Sequence, residues 1–129
     1  MAREWPDYAD DFPKEVKSCV GSGDGTFLVV IGDGQVIGLG GIQISLMSYA
    51  VWNITWLLVD PEYRGKGIGG MLVRKLEDYA KEHRDSRENE LAICLTTGVA
   101  SFYEKLGYKA VVEYSGRGNK TRYLMWRTL

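Results

Sequence analysis

Histidine is nearly absent from this chain: His83 is the only one in 129 residues, beside two cysteines, Cys19 and Cys94, and three prolines. One imidazole cannot supply a histidine-built metal site or a Cys-His nucleophilic pair, so no metal is expected. Two cysteines this far apart make no disulfide framework and read as reduced thiols. Cys94, inside an apolar stretch with no base assignable to it, reads as a buried thiol and not as a nucleophile. A dominant sign of charge is missing too. Sixteen Lys and Arg are interspersed with seventeen Asp and Glu, formal net −1, which offers no basic field to nucleic acid or to an anionic membrane. No apolar run reaches bilayer length and no charged-then-apolar leader opens the sequence, so the expectation is a cytoplasmic protein. Nothing reads as a repeat, a low-complexity tract or a linker. At 45% hydrophobic composition, residues 1–129 are long enough to form one domain around its own core.

Glycine, by contrast, is plentiful, and Gly65, Gly67, Gly69 and Gly70 fall within one junction, Val59-Asp60-Pro61-Glu62-Tyr63-Arg64-Gly65-Lys66-Gly67-Ile68-Gly69-Gly70. An apolar strand ends there and an amphipathic helix begins. The missing side chains open the backbone to an anion, and the first helical turn has N–H groups without internal acceptors. Those groups, the positive end of the helix dipole and the cations of Arg64 and Lys66 together favour a pyrophosphate. An ordinary strand-to-helix turn needs neither four glycines nor two flanking cations.

The rest of the chain is organised around that junction. An acidic, aromatic stretch over residues 1–10 is followed by a short expected helix, capped at Asp10 or Asp11, with Pro13 in its first turn and Phe12, Val16, Cys19 and Val20 on one face. The stretch 21–25 reads as a turn. Strands over 27–31 and 35–45 form a hairpin around Gly32-Asp33-Gly34. The mostly apolar run 51–59 reads as a central strand covered on both faces. Past the glycines, Ile68, Leu72, Leu76 and Tyr79, widened by Met71 and Ala80, form a helical stripe, with Arg74, Lys75, Asp78, Lys81, Glu82 and His83 on the outer surface. A strand over 91–95 follows, parallel to the one before the glycines. A short helix over 99–106 ends at Gly107, and a closing hairpin spans 108–114 and 121–128. The fold class is therefore α/β (α+β): a mixed, mostly antiparallel single sheet flanked by helices.

Gly65, Gly67 and Gly70 satisfy the dinucleotide pattern G-x-G-x-x-G, but five residues separate the strand end from the first glycine and the preceding strands look antiparallel. No Gly-Lys-Ser or Gly-Lys-Thr closes a Walker loop. Arg64, Gly67 and Gly69 instead fit R-x-x-G-x-G after Val-Asp-Pro-Glu-Tyr, and with Phe102-Tyr103-Glu104-Lys105-Leu106-Gly107-Tyr108 downstream the chain resembles the GNAT family of N-acetyltransferases from Phe27 to Leu129. The resemblance implies an acyl-CoA N-acyltransferase fold with a shortened N-terminus and acetyl-CoA as co-substrate. It places the pyrophosphate on the N–H groups of Gly65, Lys66, Gly67, Ile68, Gly69 and Gly70. The pantetheine arm would lie along Leu57, Leu58 and Val59, with the thioester where the strands before and after the long helix splay apart.

Acyl transfer from a thioester to an amine needs an uncharged amine, a polarised carbonyl and a protonated leaving thiolate. The resemblance carries the acid role onto Tyr103 and the carbonyl's donors onto backbone N–H near Leu58 and Val59. It departs at Asn53, where many relatives carry Glu. A water chain past Asn53, Thr55 or Thr96 is the expected substitute. A second departure is Thr96 or Thr97 in place of Asn before the Tyr103 helix, with Thr96 expected to supply the missing hydrogen bond. Trp52, Trp56 and Trp126 read as packing, and Tyr49, near a loop, as the best candidate for an acceptor pocket. Arg117, Lys120 and Arg122 form a charged hairpin tip, a recognition point for a carboxylate-bearing acceptor or plain surface charge. The reading is N-acetyl transfer to a primary amine of a small molecule or peptide, directly in a ternary complex, with a homodimer as one way to complete the acceptor side. Its rivals are a non-catalytic acyl-CoA-binding module and, further off, a dinucleotide-binding redox domain.

Overall fold

The structure is a computed structural model that describes residues 14–21 and 24–129, with side chains from residue 24 onward. Among the described residues the order is β1 (Lys14–Gly21), β2 (Gly25–Gly32), β3 (Gln35–Ile44), β4 (Val51–Val59), α1 (Ile68–His83), β5 (Ala92–Thr97), α2 (Ala100–Glu104), β6 (Lys109–Ser115) and β7 (Thr121–Thr128). Hydrogen bonds link the strands in the order β1-β2-β3-β4-β5-β7-β6. β4 and β5 are parallel, whereas β1–β2, β2–β3, β5–β7 and β6–β7 are antiparallel. This is the mixed, mostly antiparallel sheet that the sequence implies.

The first expected element is different. Where the sequence suggested a helix ending near residue 20, β1 pairs with β2 from Lys14↔Gly32 to Gly21↔Thr26, with an irregularity between Ser18 and Val20. Val16, Cys19 and Val20 fit a helical stripe, but the β-branched Val16 and Val20 suit a strand equally well. The backbone groups along the open edge of β2 decide between the two patterns, because they offer partners to a strand and none to a helix. Residues 1–13, which include the expected cap at Asp10 or Asp11, Phe12 and Pro13, lie outside the described residues, as do Ser22 and Gly23.

The chain divides into two compact units, Met1–Gln43 with Ile54–His83, and Ile44–Asn53 with Arg84–Leu129. In the first, α1 buries Ile68, Met71, Leu72, Val73, Leu76 and Ala80, the spacing of one helical face. Glycines on β3 bring it close: a Cβ on Gly38 would meet Ile68 and Leu72 at 3.2 Å, and one on Gly40 would meet Leu76 at 3.0 Å. The same face buries Glu77, whose carboxylate meets the Arg74 guanidinium at 3.0 Å, and the Tyr79 hydroxyl donates to the Gly25 carbonyl at 3.1 Å.

β3 and β4 run antiparallel, and β4 carries an extra residue. The Asp60 N–H donates to the Ile37 carbonyl at 2.8 Å, while a Cβ on Gly41 would lie 2.6 Å from Thr55 Oγ1. Four steps from Gly41 to Ile37 therefore face five from Thr55 to Asp60, which defines a bulge between Thr55 and Asp60. From there the strand loses its cover. Trp56 and Leu58 are 59% and 53% exposed, against 0% and 7% for Trp52 and Ile54. The expectation of cover on both faces holds for neither residue at the end of the strand. An apolar run signals burial only where another layer lies on it.

In the second unit, the first half of β4 pairs with β5 across Val51↔Ala92, Trp52↔Ile93 and Asn53↔Cys94. β7 lies on the other side of β5, and β6 beyond it. Paired residues share a face. Trp52, Ile93, Leu95 and Met125 form one that is closed, none of them more than 5% exposed. Asn53, Cys94, Thr96, Leu124 and Trp126 form the other, which is half-buried to exposed. Leu72→Ala, at a site with no exposure, is expected to lower stability by about 2–5 kcal/mol in denaturant unfolding. Leu58→Ala should lower it by under about 1 kcal/mol; equal losses would mean that the end of β4 is covered after all.

Candidate functional site

Asp60 turns the chain out of β4. Its Oδ1 accepts the Glu62 N–H at 2.9 Å and its carbonyl accepts the Tyr63 N–H at 2.8 Å, fixing one 3-10 turn over Pro61–Tyr63. Arg64 then reaches back, its Nε donating to the Val59 carbonyl at 3.0 Å. Part of the Arg64 fork is thus committed to holding the loop on the strand end, and the exposed remainder of the side chain stays available to an anion. Gly65 and Gly67 follow at φ +75° and +81°, left-handed values at which a Cβ would cost roughly 1–2 kcal/mol.

α1 begins immediately after them, and the Met71 N–H donates to the Gly67 carbonyl at 3.0 Å. Starting at Ile68 leaves the N–H groups of Ile68, Gly69 and Gly70 ahead of any intrahelical acceptor, at the positive end of a sixteen-residue helix. Leu57, Leu58, Val59, Arg64, Gly65, Lys66, Gly67, Ile68, Gly69 and Gly70 all belong to the first unit and form one continuous path, from a half-exposed strand end through a left-handed turn into the helix.

Tyr103 and Thr96 belong to the second unit. Tyr103 is placed by the end of its own helix. The Gly107 N–H donates to the Glu104 carbonyl at 3.0 Å and the Tyr108 N–H to the Tyr103 carbonyl at 3.1 Å, with Gly107 at φ +97°. That is a Schellman cap, and its apolar contact is the Tyr108 ring edge-on to Tyr103, centroids 5.8 Å apart. Phe102 packs against the other edge at 4.8 Å. Tyr103 is 7% exposed, and burial pushes its phenol above the ordinary value, so it keeps its proton throughout the neutral range.

Just ahead of the Tyr103 helix, the Thr97 Oγ1 accepts the Val99 N–H at 3.0 Å; Val99 itself caps the helix without a side-chain bond. The exposed Thr96 Oγ1 accepts from Arg122 Nη2 at 3.5 Å. At Asn53 a thiol stands where a base would be sought: Cys94 Sγ donates to Asn53 Oδ1 at 2.8 Å. Burial raises the Cys94 pKa, which disfavours the thiolate that a nucleophile requires. Sequence patterns do not signal this pair, because it depends on strand register. Among the described residues no group of three His, Cys, Asp or Glu converges as a metal site, and no helix is long and apolar enough to cross a membrane.

Residues 23–110 match the family model described as an acetyltransferase (GNAT) domain. An uncharacterized N-acetyltransferase of Methanocaldococcus jannaschii is 40% identical over 60 residues, 46% of this chain and 26% of that protein. The streptothricin acetyltransferase of Streptomyces lavendulae is 39% identical over 61 residues, 44% of this chain and 30% of its own length. The matched stretch therefore spans less than a third of either relative. Among solved structures, an aminoglycoside 6'-N-acetyltransferase complexed with coenzyme A superposes with a TM-score of 0.65 at 18% identity, over 81% of this chain and 73% of that one, a likeness of fold.

In a Cys19→Ser background, Cys94 is expected to react with a disulfide reagent far more slowly at pH 7.5 than a free cysteine does, and to accelerate only above the ordinary cysteine range near pH 8.5. Rapid labelling at neutral pH would show a thiolate and reopen the nucleophile reading.

Proposed function

The chain belongs to the GNAT acetyltransferase family, and on that premise we propose that residues 1–129 act as one domain that transfers an acetyl group from acetyl-CoA to a primary amine of a small molecule or peptide. The observation that carries the proposal is the turn at Gly65 and Gly67, both left-handed, which delivers the chain into the first turn of α1. There the N–H groups of Ile68, Gly69 and Gly70 receive the pyrophosphate, as helix N-termini receive anions generally, and Arg64 and Lys66 add positive charge. The arm of the co-substrate lies along Leu57, Leu58 and Val59, in keeping with the exposure of Leu58 at the end of β4. The coenzyme A held by the structurally similar aminoglycoside acetyltransferase supports this co-substrate.

The amine nitrogen attacks the thioester carbonyl carbon, the carbon–sulfur bond breaks, and the departing thiolate takes a proton from the Tyr103 hydroxyl. A buried phenol with a raised pKa holds that proton until the thiolate forms. The amine releases its own proton to water past Asn53, Thr55 and Thr96, since an amide accepts none. Direct attack is favoured over a cysteine intermediate by the raised pKa of Cys94. We place the reaction in the cytoplasm, where a thiol such as that of Cys94, free in the structure, stays reduced.

The bond from Cys94 to Asn53 also motivates the second reading, a module that binds acyl-CoA without turning it over. Thiol release from acetyl-CoA with polyamines, amino acids, aminoglycosides, arylamines and peptides separates the two. Transfer requires amine-dependent release, with Tyr103→Phe lowering kcat roughly 100-fold or more and leaving CoA affinity within a factor of about 2. Tight CoA binding with no release for any amine would favour the module. Because the Tyr103 pKa is raised, no loss of activity traceable to this group is expected below about pH 10.

A further inference from the structure

The open face of the second unit's sheet ends in a cluster of cations. Arg117 and Lys120 are exposed on the turn between β6 and β7, and Arg122 is half-buried at the start of β7. Among the described residues, none of the three has a carboxylate within ion-pair distance. Arg122 is held in place. Its stem runs over Gly116, where a Cβ would fall 2.5 Å from its Cγ, and its fork reaches the end of β5, with Nη2 3.5 Å from Thr96 Oγ1. Gly116 sits at φ −91°, a value open to any residue, so the stem of Arg122 and not the backbone conformation is what excludes a side chain there.

Register defines the surroundings of this cation. Arg122 pairs with Tyr114, and Thr96 with Leu124, so Arg122, Tyr114, Thr96 and Leu124 share the face that carries Cys94 and Asn53. Glu113 pairs with Tyr123 and points to the opposite face, where it cannot neutralise Arg122. Cys94 touches Asn53 at 2.8 Å, and Thr96 lies two residues beyond Cys94, roughly 7 Å along β5. A small molecule lying on this floor thus meets the uncharged pair of Asn53 and Cys94 at one end and a guanidinium at the other.

We propose that this open face is the floor of the acceptor site and that Arg122, assisted by Arg117 and Lys120, binds a carboxylate of the acceptor, with the reacting amine directed toward Asn53 about 7 Å or more away. The proposal rests on the transferase reading for the identity of the amine, but not for the anion. A planar fork meets a carboxylate through two parallel hydrogen bonds. The two tip cations add attraction that salt weakens.

The test is fluorescence anisotropy with two C-terminally labelled peptides, alanine-glutamate-glutamate-alanine and its glutamine counterpart, each with a free N-terminus, at saturating CoA and low salt. The glutamate peptide is expected to bind at least about tenfold more tightly, a difference of about 1.4 kcal/mol. Arg122→Gln should remove that preference, Arg122→Lys should keep part of it, and the pair Arg117→Gln with Lys120→Gln should reduce it less than Arg122→Gln does. Unchanged CoA affinity certifies that each variant is folded. Equal binding of the two peptides, no binding of the glutamate peptide, or an undiminished preference in Arg122→Gln would overturn the proposal. No turnover is needed, so failure here is distinct from failure of the transferase reading, which would show as absent thiol release.

Discussion

The passage from β4 into α1 is the constraint on which the first unit depends. The chain must leave a strand, turn and enter a helix without blocking the helix's first N–H groups, and it does so through two left-handed residues, Gly65 and Gly67. Asp60 fixes where the turn starts and Arg64 fastens its far side to the Val59 carbonyl. Beyond this exit α1 settles close on β3 over Gly38 and Gly40. Any side chain at 65 or 67 would strain the turn, so one feature serves the fold and the proposed phosphate cradle together.

The second unit divides its labour between faces. Trp52, Ile93, Leu95 and Met125 close one side of its sheet, giving the hydrophobic burial that stabilises it. The other side, from Asn53 through Cys94 and Thr96 to Arg122, with Leu124 and Trp126 on the same face, is half-buried to exposed. It carries an amide at Asn53 and, among the described residues, no carboxylate within ion-pair distance of the cations at the hairpin tip. An acceptor that arrives with its own negative charge fits such a surface better than a polycation, which Arg117, Lys120 and Arg122 would repel.

Much of this was legible in the sequence because the signals were local. The stripe from Ile68 to Ala80, the turn at Asp33 and Gly34 and the glycine junction each rest on residues close in the chain, and the structure has them where they were expected. Gly107 was legible as a helix stop, but not as the cap that orients Tyr103 through Tyr108. What escaped depended on strand pairing. Residues 14–21 became a strand because β2 offered an edge, and the extra residue between Thr55 and Asp60 follows from the offset between β3 and β4. The contact between Cys94 and Asn53 joins residues 41 positions apart, and Arg122 meets Thr96 across 26. No periodicity of a single segment encodes such juxtapositions.

Backbone amide NMR shows whether the turn at Gly65 and Gly67 holds a pyrophosphate. The signals of Ile68, Gly69 and Gly70 would be followed during titration with CoA and, separately, with pantetheine, which lacks the pyrophosphate. A bound pyrophosphate gives large shifts of these three amides with CoA, little change in them with pantetheine, and pantetheine affinity lower by roughly 100-fold, as expected when charge-assisted hydrogen bonds are lost. Shifts of equal size with both ligands, or none with either, would contradict it.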